Sequence, residues 1–259
     1  MNHTKLSVLL LVTALCLLAL PLAAAPQPSL LVSAAASLTD VLTSLKAPAE
    51  QAVGMPIQFN FGGSGALRQQ IEQGAPVDVF FSAAAEDMDK LAAGKLIVQE
   101  SRQDLLSNSI VLVGDISLPK PESRKALENL LSGARILAIG NPDSVPAGRY
   151  AVQALKNLGL YSLVDGRMVL GGNVRQVLQF VQSGSAPLGI VFSTDALSVK
   201  DSSVAVLYAF PASSLTTPVV YPIAVVAASV NSRAAAAFIA FLRGPEAWNA
   251  FAAAGFTAP

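Results

Sequence analysis

Histidine and cysteine are almost missing from this chain: each occurs once, as His3 and Cys16. Both stand in an N-terminal segment with a basic tip (His3, Lys5) and an apolar run over 6–20 broken only by Ser7, Thr13 and Cys16. Small residues follow at 23–25. That make-up is expected of a secretory signal peptide. The run is short for a bilayer span, which needs about 20 apolar residues. Cys16, preceded by Leu15, stands mid-run and cannot serve as a lipoprotein anchor. Residues 1–25 are therefore expected to be removed and the remainder to work in the periplasm. That remainder has no thiol nucleophile, no imidazole base and no disulfide. It also cannot build the usual Cys/His metal sites, so no metal held directly by protein ligands is expected. An excess of one charge is missing too. Without Lys5 the seventeen basic residues become sixteen against seventeen acidic ones, a net charge of −1. No basic stripe invites nucleic acid.

What is present is an alternation of short β-branched or aromatic runs with longer helical stretches, the pattern of an α/β fold with largely parallel sheets. Strands are expected at 30–34, 56–61, 77–82, 109–114, 136–139, 188–192, 204–208 and 219–227. Helices are expected at 38–53, 66–73, 85–93, 123–131, 149–158, 174–183, 233–242 and 246–254. The 234 residues left after 25 are removed from 259 suit one large or two small domains. A polar break over 101–108 and a Pro/Ser/Thr-rich stretch over 211–218 suggest two chain crossings. On that reading 26–107 and 217–259 form a first lobe and 108–216 a second.

Four loops share one design, in which a strand ends, small residues follow and a helix begins. They are 34–40 (AAASLTD), 61–65 (FGGSG), 141–148 (NPDSVPAG) and 171–174 (GGNV). The first N–H groups of a helix lack intrahelical partners and carry the positive end of its dipole. Gathered at the carboxyl ends of strands, they suit a small anion, with hydroxyls adding directed bonds. Ser37 also reads as a plain N-cap, with Asp40 at capping-box spacing, and glycine pairs also read as tight turns. No Walker A or dinucleotide fingerprint is present.

Taken together, the stretches 34–40, 63–75 (GSGALRQQIEQGA), 76–83 (PVDVFFSA), 141–155 (NPDSVPAGRYAVQAL), 186–196 (APLGIVFSTDA) and 255–257 (GFT) resemble the periplasmic molybdate-binding proteins of ABC transporters. The resemblance runs from about residue 30 to 257. It implies a two-lobed periplasmic-binding-protein fold of type II kind, with two parallel or mixed sheets flanked by helices and a hinge of two crossings. It further implies that the hydroxyls of Ser37 and Ser64 and the backbone N–H groups of Ala147 and Val174 hold the oxyanion. A tyrosine hydroxyl that completes the family's site falls at Phe192, and Ser193 or a water is expected to stand in for it. The ligand implied is molybdate or tungstate, with no cofactor, and the partner is the membrane permease of an importer; the protein is expected to be a monomer.

Molybdate and tungstate are fully deprotonated near neutral pH, so their oxygens only accept hydrogen bonds and a cage of donors suits them. Arg68 and Arg175, just past two of the loops, are expected to be solvated. The alternative ligands are other tetrahedral oxyanions such as sulfate or phosphate. An exported enzyme on the same fold is a further alternative, weakened by the lack of a histidine base and of an S-x-x-K motif. An adhesive module would not call for four helix starts of this kind.

Overall fold

The computed structural model describes residues 28–200 and 203–259, so the expected signal segment 1–25 lies outside the described residues. The first sheet contains β1 (Leu30–Ala35), β2 (Ile57–Gly62), β3 (Val79–Phe81), β4 (Gln103–Asn108) and β10 (Val219–Val225), in the order β2-β1-β3-β10-β4. The second contains β5 (Ile110–Asp115), β6 (Leu137–Gly140), β7 (Met168–Gly171), β8 (Leu188–Phe192) and β9 (Val204–Ala209), in the order β7-β6-β8-β5-β9. In each sheet the first three strands of the order pair in parallel. The fourth, β10 in one and β5 in the other, runs antiparallel to both of its neighbours. Each antiparallel strand is the one that receives the chain from the other sheet. The fold is thus α/β, as the pattern of short runs and helices implies, and two-lobed with mixed sheets, as the resemblance implies.

The first lobe carries α1 (Thr39–Ser44), α2 (Lys46–Val53), α3 (Ser64–Glu72) and α4 (Ala85–Ala93). The second carries α5 (Arg124–Gly133), α6 (Pro146–Asn157), α7 (Val174–Gln182) and α8 (Ser193–Leu197). The chain then returns to the first lobe for α9 (Ser232–Leu242) and α10 (Pro245–Ala253). Helices on both faces explain why inner strands are buried almost throughout: every residue of β8 is buried, and all but Leu31 of β1. The edge strands β2 and β4 keep exposed or half-exposed positions.

Four local expectations change. The single helix over 38–53 is two, broken at Leu45, because Pro48 lacks an N–H and its ring would clash with the carbonyl four residues back. The polar break over 101–108 is largely strand β4, an edge strand bonded to β10, with Leu106 turned into the core. The short edge strand β7 and the five-residue α8 escape the pattern altogether. The helix expected from residue 149 starts at Pro146, whose fixed φ suits a first helical position.

Return of the chain to the first lobe is fixed by polar and aromatic contacts. Asp78, 4% exposed, accepts from the Leu31 N–H (2.8 Å), Ser229 Oγ (2.6 Å) and Asn231 Nδ2 (3.2 Å). Phe81, Tyr221, Phe251 and Phe256 meet edge-to-face at 5.3–6.5 Å. Their rings pin α10 and the C-terminal turn to the sheet.

Candidate oxyanion site

All four small-residue loops meet between the lobes, around a cavity lined by Ser37, Gly63, Ser64, Ala83, Val174 and Phe192 among others. Its volume is about 10 Å³. The lobes are closed upon it. The Gly65 N–H donates to Ser144 O across the cleft at 2.9 Å, and a Cβ on Gly65 would stand 2.8 Å from that same oxygen. Only glycine permits so close a meeting of backbones. A wider groove of about 1080 Å³ opens on one side, with Ser37, Asp40 and Arg175 in its wall.

Ser37 does not cap a helix. Its loop turns at Ala35 into a 3-10 turn, Ala36–Leu38, so Ser37 sits inside the turn, 3% exposed, and no side chain caps this start. Its Oγ lies 2.9 Å from Tyr221 Oη instead. Asp40 likewise makes no capping box; its exposed carboxylate lies 2.8 Å from Arg175. Ser64 is the first residue of α3, fully buried, and its Oγ accepts the Ala83 N–H at 2.9 Å.

The second lobe brings backbone. Pro146 opens α6 and has no N–H, so buried Ala147 carries the first N–H of that helix. Val174 opens α7 beside the cavity, while Asn173 Oδ1 caps the same helix by accepting the Gln176 N–H at 3.0 Å. N–H groups in these first turns have no acceptor within their own helix. Of the expected residues, Ser37, Ser64, Val174 and Phe192 line the cavity, and Ala147 lies one residue beyond the lining Pro146. Ser193 does not line it. Its hydroxyl donates to Asn108 Oδ1 at 2.8 Å, beside the crossing between the lobes. Phe192 is buried between two tyrosines, with ring centroids 5.7 Å from Tyr221 and 6.4 Å from Tyr150. No sequence motif marks Tyr221 or Asn108.

Ion pairs flank the cleft. Arg149 of α6 pairs with Asp87 and, at 3.2 Å, with Glu86, both on α4 of the other lobe. Arg68 also reaches Asp87, at 3.2 Å. Arg175 of α7 bridges Asp40 of the first lobe and buried Asp195 of its own lobe, the latter at 2.7 Å. The expectation that Arg68 and Arg175 are solvated therefore fails: their side chains are 11% and 26% exposed and are held by carboxylates. Burial pushes the Asp195 carboxyl up to about 6, against the pull of Arg175. Both arginines spend their charge on protein partners, which leaves the cavity itself to neutral donors. Among the described residues, no group of three or more His, Cys, Asp or Glu stands together to hold a metal.

Residues 30–257 match the family of bacterial extracellular solute-binding proteins. The chain belongs to that family. It is 38% identical over 239 residues to the molybdate-binding protein ModA of Escherichia coli, covering 91% of each chain. It is 36% identical over 255 residues to the ModA of Haemophilus influenzae, covering 95% of this chain and 96% of the other. Among solved structures, the periplasmic molybdate-binding protein of Azotobacter vinelandii superposes with a TM-score of 0.77 at 26% identity. That match covers 89% of this chain and 99% of the other.

Proposed function

We propose that this protein captures molybdate, and tungstate with it, outside the cytoplasmic membrane and delivers it to the permease of an ABC importer. The observation that carries the proposal is the cavity. Two buried hydroxyls, of Ser37 and Ser64, face it from one lobe, and two helix N-termini close on it from the other. The named relatives at 36–38% identity support the choice of ion.

In this reading Ser37 and Ser64 donate through their hydroxyls, and Ala147 and Val174 donate through their N–H groups. The helix dipoles supply partial positive charge without a fixed cation. The first lobe comprises 26–107 and 217–259 and the second 108–216, and closure of the two excludes water from the ion. The protein acts as an exported, periplasmic monomer, not as an enzyme and not on nucleic acid. It needs no cofactor.

Calorimetric titration of residues 26–259 with molybdate, tungstate, sulfate and phosphate tests the proposal. Molybdate and tungstate are expected to bind one shared site and to displace each other. Displacement of molybdate by equal concentrations of phosphate or sulfate would overturn the choice of ion.

A further inference from the structure

We propose that Asn108 and Tyr221 form a relay that holds the Ser37 proton toward the cavity, making Tyr221 the positioning residue that excludes protonated oxyanions. The inference rests on the oxyanion reading of the cavity and adds the origin of its selectivity. Asn108 ends β4, where the chain crosses between lobes. Its Oδ1 accepts from the Ser109 N–H at 2.8 Å and from Ser193 Oγ at 2.8 Å. A backbone N–H can only donate, so the amide oxygen must stand on that side and the Nδ2 group on the other.

From there the directions follow one another. Nδ2 lies 2.9 Å from Thr194 Oγ1 and 3.1 Å from Tyr221 Oη. An amide NH₂ only donates, so Tyr221 Oη accepts and its own proton is left for Ser37 Oγ, 2.9 Å away. Tyr221 is fully buried, and burial, with the Asp195 charge adding to it, drives the phenol well above its ordinary range, so that it keeps this proton. Ser37 Oγ is thereby an acceptor toward Tyr221, and its proton faces the cavity. Ser64 reaches the same state by another route, since the Ala83 N–H occupies its oxygen.

Both hydroxyls thus present hydrogen, and a fully deprotonated oxyanion meets donors alone. Hydrogen phosphate would set its own proton against one of them, a buried donor without an acceptor. Tyr221 is absent from the cavity wall, so it acts through Ser37.

Tyr221→Phe removes the hydroxyl and leaves the ring among Phe81, Phe192 and Phe256. By calorimetry, molybdate affinity is expected to fall about five- to tenfold. Phosphate, measured by competition against molybdate, is expected to lose less, so that the molybdate-to-phosphate ratio narrows. Asn108→Ala, which spares the ring cluster, is expected to narrow it in the same direction. In a Ser37→Ala background, Tyr221→Phe is expected to change molybdate affinity by less than about twofold, because its route to the ion is gone. Equal losses in both backgrounds, or equal losses for every anion, would mean that Tyr221 only packs and would overturn the relay. A parent protein that binds none of these anions would overturn the oxyanion reading itself, whereas a parent that binds molybdate as tightly as its Tyr221→Phe variant overturns the relay alone.

Discussion

In the sheet orders β2-β1-β3-β10-β4 and β7-β6-β8-β5-β9, β1 occupies the place of β6 and β10 the place of β5. Two lobes built on one plan nevertheless meet the cavity with different chemistry. The first brings Ser37 and Ser64, side chains whose protons are aimed by neighbours. The second brings helix starts at Pro146 and Val174, where the donors belong to the main chain. Side-chain donors can be reoriented or removed by ordinary substitution. Main-chain donors cannot, and only a change that deletes an N–H or stops the lobes from meeting will reach them.

The largest effect is expected where the lobes meet. Gly65→Ala places a methyl 2.8 Å from Ser144 O and 2.9 Å from Ser144 Cα, both backbone. Molybdate affinity should drop about hundredfold while the thermal unfolding midpoint stays near the parent value. Unchanged affinity would show that closure is not needed for binding. Next come the donors, one from each lobe. Ser64→Ala and Val174→Pro should each weaken molybdate binding about ten- to hundredfold, the cost of one hydrogen bond to a charged ligand. Proline is tolerated at a first helical position, and Asn173 before it is already extended, so Val174→Pro deletes the N–H and spares the helix. Val174→Ala keeps the N–H and should stay within about threefold of the parent. Equal losses for Val174→Ala and Val174→Pro would erase the distinction between the lobes.

A smaller effect, of opposite sign, is expected at Phe192, which lines the cavity without a donor. Phe192→Tyr should tighten molybdate binding by up to about tenfold. A weaker complex would mean that the wall has no room for the hydroxyl. The smallest effect concerns the Arg175–Asp195 pair and is read from stability. The folded Asp195 carboxyl titrates at about 6, above its ordinary 3.8. Between those values the folded chain holds a proton that the unfolded chain has released. Stability from this group therefore falls as pH rises from about 4 to 6 and is flat above about 7. The difference in unfolding midpoint between parent and Asp195→Asn, followed against pH, should show that slope; a difference independent of pH would contradict it.

The four loops that line the cavity could be read from local sequence because each is local. Short runs of alanine and glycine between an apolar strand and a helical stretch leave room for a close backbone approach. The parts that could not be read are contacts between distant positions. Ser37 and Tyr221 are 184 residues apart, and Tyr221 lies in the apolar strand VVYPIAV, where it looks like one more core aromatic. Asn108 lies in a polar segment that resembles a linker until its pairing with β10 is seen. The capping role expected for Ser37 and Asp40 gave way to tertiary partners, Tyr221 and Arg175, which offered bonds that a helix start did not.

The central claim is that neutral donors from both lobes hold the ion at one place. Anomalous scattering at the molybdenum edge, from crystals of residues 26–259 grown with molybdate, tests it most directly. One peak is expected, about 4 Å from both Ser37 Oγ and Ser64 Oγ, the reach of one hydrogen bond plus one metal–oxygen bond. A peak in the wider groove beside Arg175 instead would place the ion on a charged clamp and contradict the account.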